Sequence, residues 1–160
     1  LTSPYMAAFR GASALDSFQG YKVRGCAAFY GPSSFRSADA RFWAHRSLGG
    51  FNSRVFGTET DSAAQEFERE LVSPINYLTS SSPPLFVVHG LLDTTIPINH
   101  TYGFRTLSNS DSRIPFEFVV VRNATHNFRL SADAPASGTA ISPSRAEIED
   151  MTVEKILSFF

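Results

Sequence analysis

The chain has 160 residues, 42% hydrophobic and 18% charged, with a formal net charge of −1. That size and composition suit one domain with a packed core, and a near-neutral balance without a basic run argues against a nucleic-acid partner. No apolar stretch approaches the roughly 20 residues of a membrane span, and a single cysteine, Cys26, excludes an internal disulfide framework and a cysteine-rich metal site.

Taken in order, Leu1 to Arg10 places Tyr5, Met6 and Phe9 at helical spacing, with Pro4 tolerable only in a first turn. It starts so abruptly that it reads as the later part of a longer helix. Gly11 to Gly20 is a polar connection bounded by glycines. Val23 to Tyr30, V-R-G-C-A-A-F-Y, reads as a buried strand closed by Gly31-Pro32, which makes Cys26 a buried structural thiol. Ser33 to Thr60 has no clean period and reads as an irregular excursion carrying Trp43, His45, Phe51 and Phe56. Asp61 to Val72 predicts a helix: Ser62 and Gln65 form a capping-box pattern, Phe67 and Leu71 share a face, and Pro74 stops it.

The stretch that organises the chain is Pro84 to Pro97, P-L-F-V-V-H-G-L-L-D-T-T-I-P. Leu85 to Val88 is too short for a helix and is rich in β-branched residues, so it predicts a fully buried strand ended by Gly90. Asp93 then falls in the loop past the carboxyl end of that strand, the edge at which open α/β sheets bind ligands. Thr101 to Leu107 predicts a helix with Tyr102, Phe104 and Leu107 as its apolar residues, and Asn109 to Arg113 a turn-rich break. Phe116 to Val121 is a third strand, followed by Asn123-Ala124-Thr125-His126. Arg129 to Ser144, rich in Ala, Ser, Pro and Gly, reads as a mobile loop. Ala146 to Phe160 predicts a closing amphipathic helix with Ile148, Met151, Ile156 and Leu157 on one face. Alternation of strand and helix implies an α/β fold with a mostly parallel sheet sandwiched by helices.

Asp93 and His126 follow successive strands, so parallel pairing would deliver both to one sheet edge. A carboxylate accepting from one imidazole nitrogen fixes the tautomer and leaves the other nitrogen as a general base. Acyl transfer would then need a nucleophile. Each residue also has a plainer reading: Asp93 could cap a turn, and His126 could be a hydrogen-bonded strand-end histidine. His89, at the end of the buried strand, is expected to be structural and bonded to backbone. His45 and His100 lack a carboxylate at ligand spacing and are expected at the surface. No H-x-x-x-H arrangement exists, so a metal site is not expected. The sequons at Asn99 and Asn123 are expected to be chance matches.

The stretches S-P-I-N-Y-L from Ser73, P-P-L-F-V-V-H-G-L-L-D-T-T-I-P from Pro83 and F-V-V-V-R-N-A-T-H-N-F from Phe118 resemble the carboxyl-terminal portion of an α/β-hydrolase. The esterase branch, feruloyl-esterase-like and carboxylesterase-like, is the nearest in pattern. A-A-F-Y-G-P at Ala27 to Pro32 is similar to that family's strand after the nucleophile helix. The resemblance implies that Asp93 is the triad acid, that His126 is the triad base, that the substrate is a small-molecule carboxylic ester, and that the acyl-enzyme mechanism uses no metal or other cofactor. Both residues follow the family's order of nucleophile, acid, His.

A nucleophile elbow, G-x-S-x-G, is not found. Gly11-Ala12-Ser13-Ala14-Leu15 lacks the final Gly, and only Leu15 to Lys22 separate it from the next strand, too few for the helix that follows an elbow. Ser3 precedes Pro4 and has no flanking glycines. The family's pattern therefore places the nucleophile and oxyanion hole upstream of Leu1. Residues 1–160 then read as a partial hydrolase domain whose partner is its own amino-terminal half. Residues 33–72 form a candidate cap or lid, with Phe35, Phe42, Trp43, Phe51 and Phe56 as pocket lining or as plain packing. The alternatives are a prolyl-oligopeptidase-type peptidase, or a non-catalytic pseudo-hydrolase acting as a binding module.

Overall fold

Leu85–Gly90 (β2) is the middle strand of a parallel three-stranded sheet, flanked by Cys26–Phe29 (β1) and Phe116–Val121 (β3) in the order β1-β2-β3. The structure, a computed structural model, describes residues 23–43, 63–135 and 139–160. The helices are Ala63–Leu71 (α1), Asn99–Ser110 (α2) and Arg145–Leu157 (α3), with a short 3-10 helix at Ser37–Trp43. The parallel α/β architecture expected from the sequence is the one observed.

Side chains alternate across a strand, and here that separates two packing faces. Phe86 and Val88 of β2 join Val121, Ala124 and Ile148 of α3 in the main core, with Ala27 of β1 and Met151 against them. The opposite face carries Phe116 and Phe118 of β3, whose rings meet Phe104 and Tyr102 of α2. His89 of β2 reaches Thr101 of α2 on that same face. Beside α2, Phe42, Trp43 and Ile96 form a second, smaller core with Phe35 and Ile75. Phe35, Phe42 and Trp43 are thus packing residues, whereas Phe51 and Phe56 lie outside the described residues, as do Ser3, Ser13, His45 and the expected helix at Leu1–Arg10.

Several expectations need correction. Cys26 is exposed, because β1 is the edge strand and among the described residues pairs only with β2. Phe67 is exposed while Arg69 is buried and pairs with the part-exposed Glu66, so α1 turns a charged side chain inward at one point. His100 is fully buried: α2 begins at Asn99 and the ring is enclosed by Trp43, Phe42 and Ser33. In α3, Ile148 and Thr152 are buried but Ile156 and Leu157 are exposed. Nine positions at 3.6 residues per turn put Leu157 roughly half a turn from Ile148. In the stretch after Arg129, Leu130 bridges Ala124 and Ser142 bridges Arg122.

Candidate active site

The register of β2 and β3 does the first part of the assembly. Gly90 is paired with Val121, so both strands end at one level. Beyond them the loops are stitched together: the Leu91 N–H donates to Val121 O and the Leu92 N–H to Ala124 O, each at 2.9 Å. Gly90 is the residue that permits this. A Cβ there would sit 2.6 Å from Ala124 O and 2.7 Å from Thr125 O, closer than any side chain tolerates.

Asp93 is held by its own loop. Its Oδ1 accepts the backbone N–H groups of Thr95 at 2.8 Å and Ile96 at 3.0 Å, an Asx turn that orients the carboxylate. His126 stands on a tight reversal in which Asn127 and Phe128 have φ of 61° and 53°, in the left-handed region. The Arg145 guanidinium donates to Asn127 O and anchors that reversal to α3. The two residues meet at 2.8 Å, His126 Nδ1 to Asp93 Oδ2. The Asp93 side chain is fully buried and that of His126 is 27% exposed. A carboxylate only accepts, so Nδ1 carries the hydrogen and Nε2 keeps its lone pair. Among the described residues Nε2 has no hydrogen-bond partner.

Burial pushes the Asp93 carboxyl up. Hydrogen bonds from His89, His126 and the backbone of Ile96 and Thr95 outweigh it and hold the group below the ordinary carboxylate range. Asp93 is therefore ionised at neutral pH in spite of its burial.

Tyr30 is a neighbour that sequence reading does not single out. Its ring lies 4.5 Å from the His126 imidazole and 5.0 Å from Phe128, and its own φ is 41°. An aromatic residue in that region is strained; the only sequence signal is its place at a strand end before Gly31-Pro32. Below it, Phe29, Tyr30, Phe128, Ile148 and Val153 line a mostly apolar cavity of 350 Å³. His89 bonds backbone at Ile96 O, but it also lies 3.5 Å from Asp93. Among the described residues no group of three His, Cys, Asp or Glu side chains is placed to hold a metal ion.

A family model described as BD-FAE matches residues 8–107, an interval that contains Asp93 and ends before His126. A probable carboxylic ester hydrolase of Mycobacterium tuberculosis, LipM, is 31% identical over 70 residues, which is 44% of this chain and 16% of the relative. Two solved structures share the fold. One is an acetyl ester-xyloside bifunctional hydrolase from Caldicellulosiruptor lactoaceticus, with TM-score 0.54 and 19% identity over 84% of this chain and 43% of its own. The other is a truncated carbohydrate esterase from gut microbiota, with TM-score 0.52 and 17% identity over 66% of this chain and 36% of its own. The chain therefore spans less than half the length of each of these three relatives.

Proposed function

From the premise that this chain belongs to the BD-FAE family and is of the esterase type of α/β-hydrolase, we propose that it supplies the acid and base of a serine esterase triad. The observation that carries the reading is the buried Asp93 carboxylate bonded to Nδ1 of a partly exposed His126 at the carboxyl edge of a parallel sheet. The nucleophile and oxyanion hole are assigned to the part of the domain that precedes this chain.

In the proposed cycle His126 Nε2 takes the hydroxyl proton of a serine as its oxygen bonds to the ester carbonyl carbon. Asp93 stays ionised and stabilises the imidazolium. His126 then returns the proton to the leaving alcohol oxygen as the tetrahedral intermediate collapses to an acyl-enzyme. Water repeats the sequence: Nε2 removes its proton, the acyl–serine bond breaks, and the serine recovers its hydrogen. The proposed substrate class is a carboxylic ester. Two relatives, one described as a carbohydrate esterase and one as an acetyl ester-xyloside bifunctional hydrolase, make an ester on a sugar the first to try.

The test is p-nitrophenyl acetate hydrolysis by the product of the whole coding region, compared with His126→Ala and Asp93→Asn. Loss of turnover in both supports the reading, and turnover indifferent to His126 ends it. The 160 residues alone are expected to hydrolyse the ester no faster than their His126→Ala variant.

A further inference from the structure

Asp93 has a second imidazole beside it. The His89 side chain is wholly buried, with Nε2 2.8 Å from Ile96 O and 3.5 Å from Asp93 Oδ2. Its Nδ1 lies 2.7 Å from Thr101 Oγ1. Both oxygens facing Nε2 can only accept, so Nε2 carries a hydrogen. In the neutral ring Nδ1 must then accept the Thr101 hydroxyl hydrogen. The partners alone thus set the tautomer, and it is the opposite of the one at His126.

The Nε2–H donates to Ile96 O at 2.8 Å, and Asp93 Oδ2 lies beside it at 3.5 Å. Ile96 in turn donates its N–H to Asp93 Oδ1. His89 therefore closes the Asx turn from behind: backbone N–H groups hold Oδ1, the imidazole backs Oδ2, and the open side of Oδ2 faces His126. An apolar side chain at this position would fill the volume and leave Ile96 O and the carboxylate without that donor. The titratable groups around Asp93 are His126, His89 and, on the first turn of α2, His100.

We propose that His89 is a positioning residue for the Asp93–His126 pair, its Nε2–H holding the carboxylate so that Oδ2 stays directed at His126. This rests on the reading of that pair as acid and base. His89 touches no reacting atom and acts through Asp93.

The experiment is NMR of the product of the whole coding region with ¹³C-labelled carboxylates and ¹⁵N-labelled imidazoles. In the unsubstituted chain His89 is expected as the Nε2–H tautomer; the Nδ1–H form would overturn the proposal. In His89→Leu the Asp93 titration midpoint should rise, and the Nδ1–H proton of His126 should exchange with water faster. His89→Gln, whose amide N–H can meet the same oxygens, should return both signals toward the original. Thr101→Val loosens the far side of the ring and should leave both in place. A folded His89→Leu with neither signal moved overturns the proposal, as does an equal shift in Thr101→Val. The Nδ1–H tautomer would overturn the proposal even where His89→Leu does not fold, and His89→Gln against Thr101→Val then carries the comparison of the two signals. None of these readouts needs turnover. If His126→Ala left ester hydrolysis intact while His89→Leu still moved Asp93, the catalytic reading would fall, and only the hold of His89 on the Asp93 carboxylate would stand.

Discussion

At the scale of single residues the pair is defined by what each partner cannot do. Asp93 cannot donate while ionised, and its buried Oδ2 has His126 on one side and His89 on the other. Replacing it by Asn offers His126 an N–H as readily as a carbonyl and allows the wrong tautomer. Asp93→Asn is therefore expected to lower kcat of the complete esterase by about three to four orders of magnitude with a smaller change in KM, measured on p-nitrophenyl acetate. Gly90 is the second decisive residue. Gly90→Ala drives a methyl against two backbone carbonyls, which cannot move without displacing the loop that carries His126. A loss of about 1–3 kcal/mol is expected, read by urea denaturation, together with loss of the His126 Nδ1–H signal. The sequence marks both positions through H-G-x-x-D. It does not mark Tyr30, because a ring contact across two loops leaves no local pattern.

At the scale of elements, α3 shows where a helical pattern misleads. Its capping box is complete: the Ser144 side chain accepts the Glu147 N–H, and the Glu147 carboxylate accepts the Ser144 N–H. Ser144 and Glu147 carry the signal for the helix start as residue types, but the apolar pattern alone begins the helix at Ala146 and leaves Ser144 in the preceding loop. Its buried face carries no such signal, since Ile148, Met151, Ile156 and Leu157 are equally apolar and only the sheet selects among them. Ile148 is 3% exposed and Leu157 is 67% exposed. Ile148→Ala is expected to destabilise the chain by about 2–5 kcal/mol, whereas Leu157→Ala should change stability by less than about 0.5 kcal/mol. Equal effects in the same denaturation experiment would contradict the packing described. The strands were easier to read, because β2 is covered on both faces and a short apolar run has no other stable home. In β1 only Cys26–Phe29 pairs, since Val23 and Arg24 lie beyond the start of its partner.

At the scale of the whole molecule two features bear on solution behaviour. His100 is buried with Nδ1 accepting the Ser33 N–H, and burial, reinforced by nearby His89, lowers its pKa to about 4 although Asp39 and Asp93 act in the opposite sense. In the unfolded chain a histidine titrates near 6.5. Between those values the unfolded state binds the extra proton, so stability falls as pH drops from about 6.5 to about 4, by about 3 kcal/mol in total. Asp93 adds to this in a lower window: its carboxyl is depressed in the fold, and its contribution fades as pH falls below the unfolded value and through the folded one. His100→Gln should flatten the upper limb when stability is followed against pH, and an unchanged slope would exclude His100 as its source. The second feature is the edge of β1, which carries exposed Cys26 and Phe29, the latter lining one cavity with exposed Val153. Among the described residues that edge has no partner strand, and an unpaired apolar edge invites another strand. The 160 residues are expected to associate in size-exclusion chromatography, and Cys26→Lys to reduce that association; a stable monomer at all concentrations would contradict it.

What the sequence determined by itself is local or periodic. It contained the three strands, the helices between them, the parallel order and the two loops that bear Asp93 and His126, because apolar runs, β-branching, glycine and proline act within a few residues of themselves. The likeness to esterases was also legible there, in H-G-x-x-D and in the histidine after the next strand. The tertiary structure alone decided which apolar residues lie inside, why Cys26 faces outward and His100 inward, and that Tyr30 and His89 attend the pair. Those outcomes depend on which surfaces meet when the sheet and helices pack, and on hydrogen bonds between residues that are neighbours only in space.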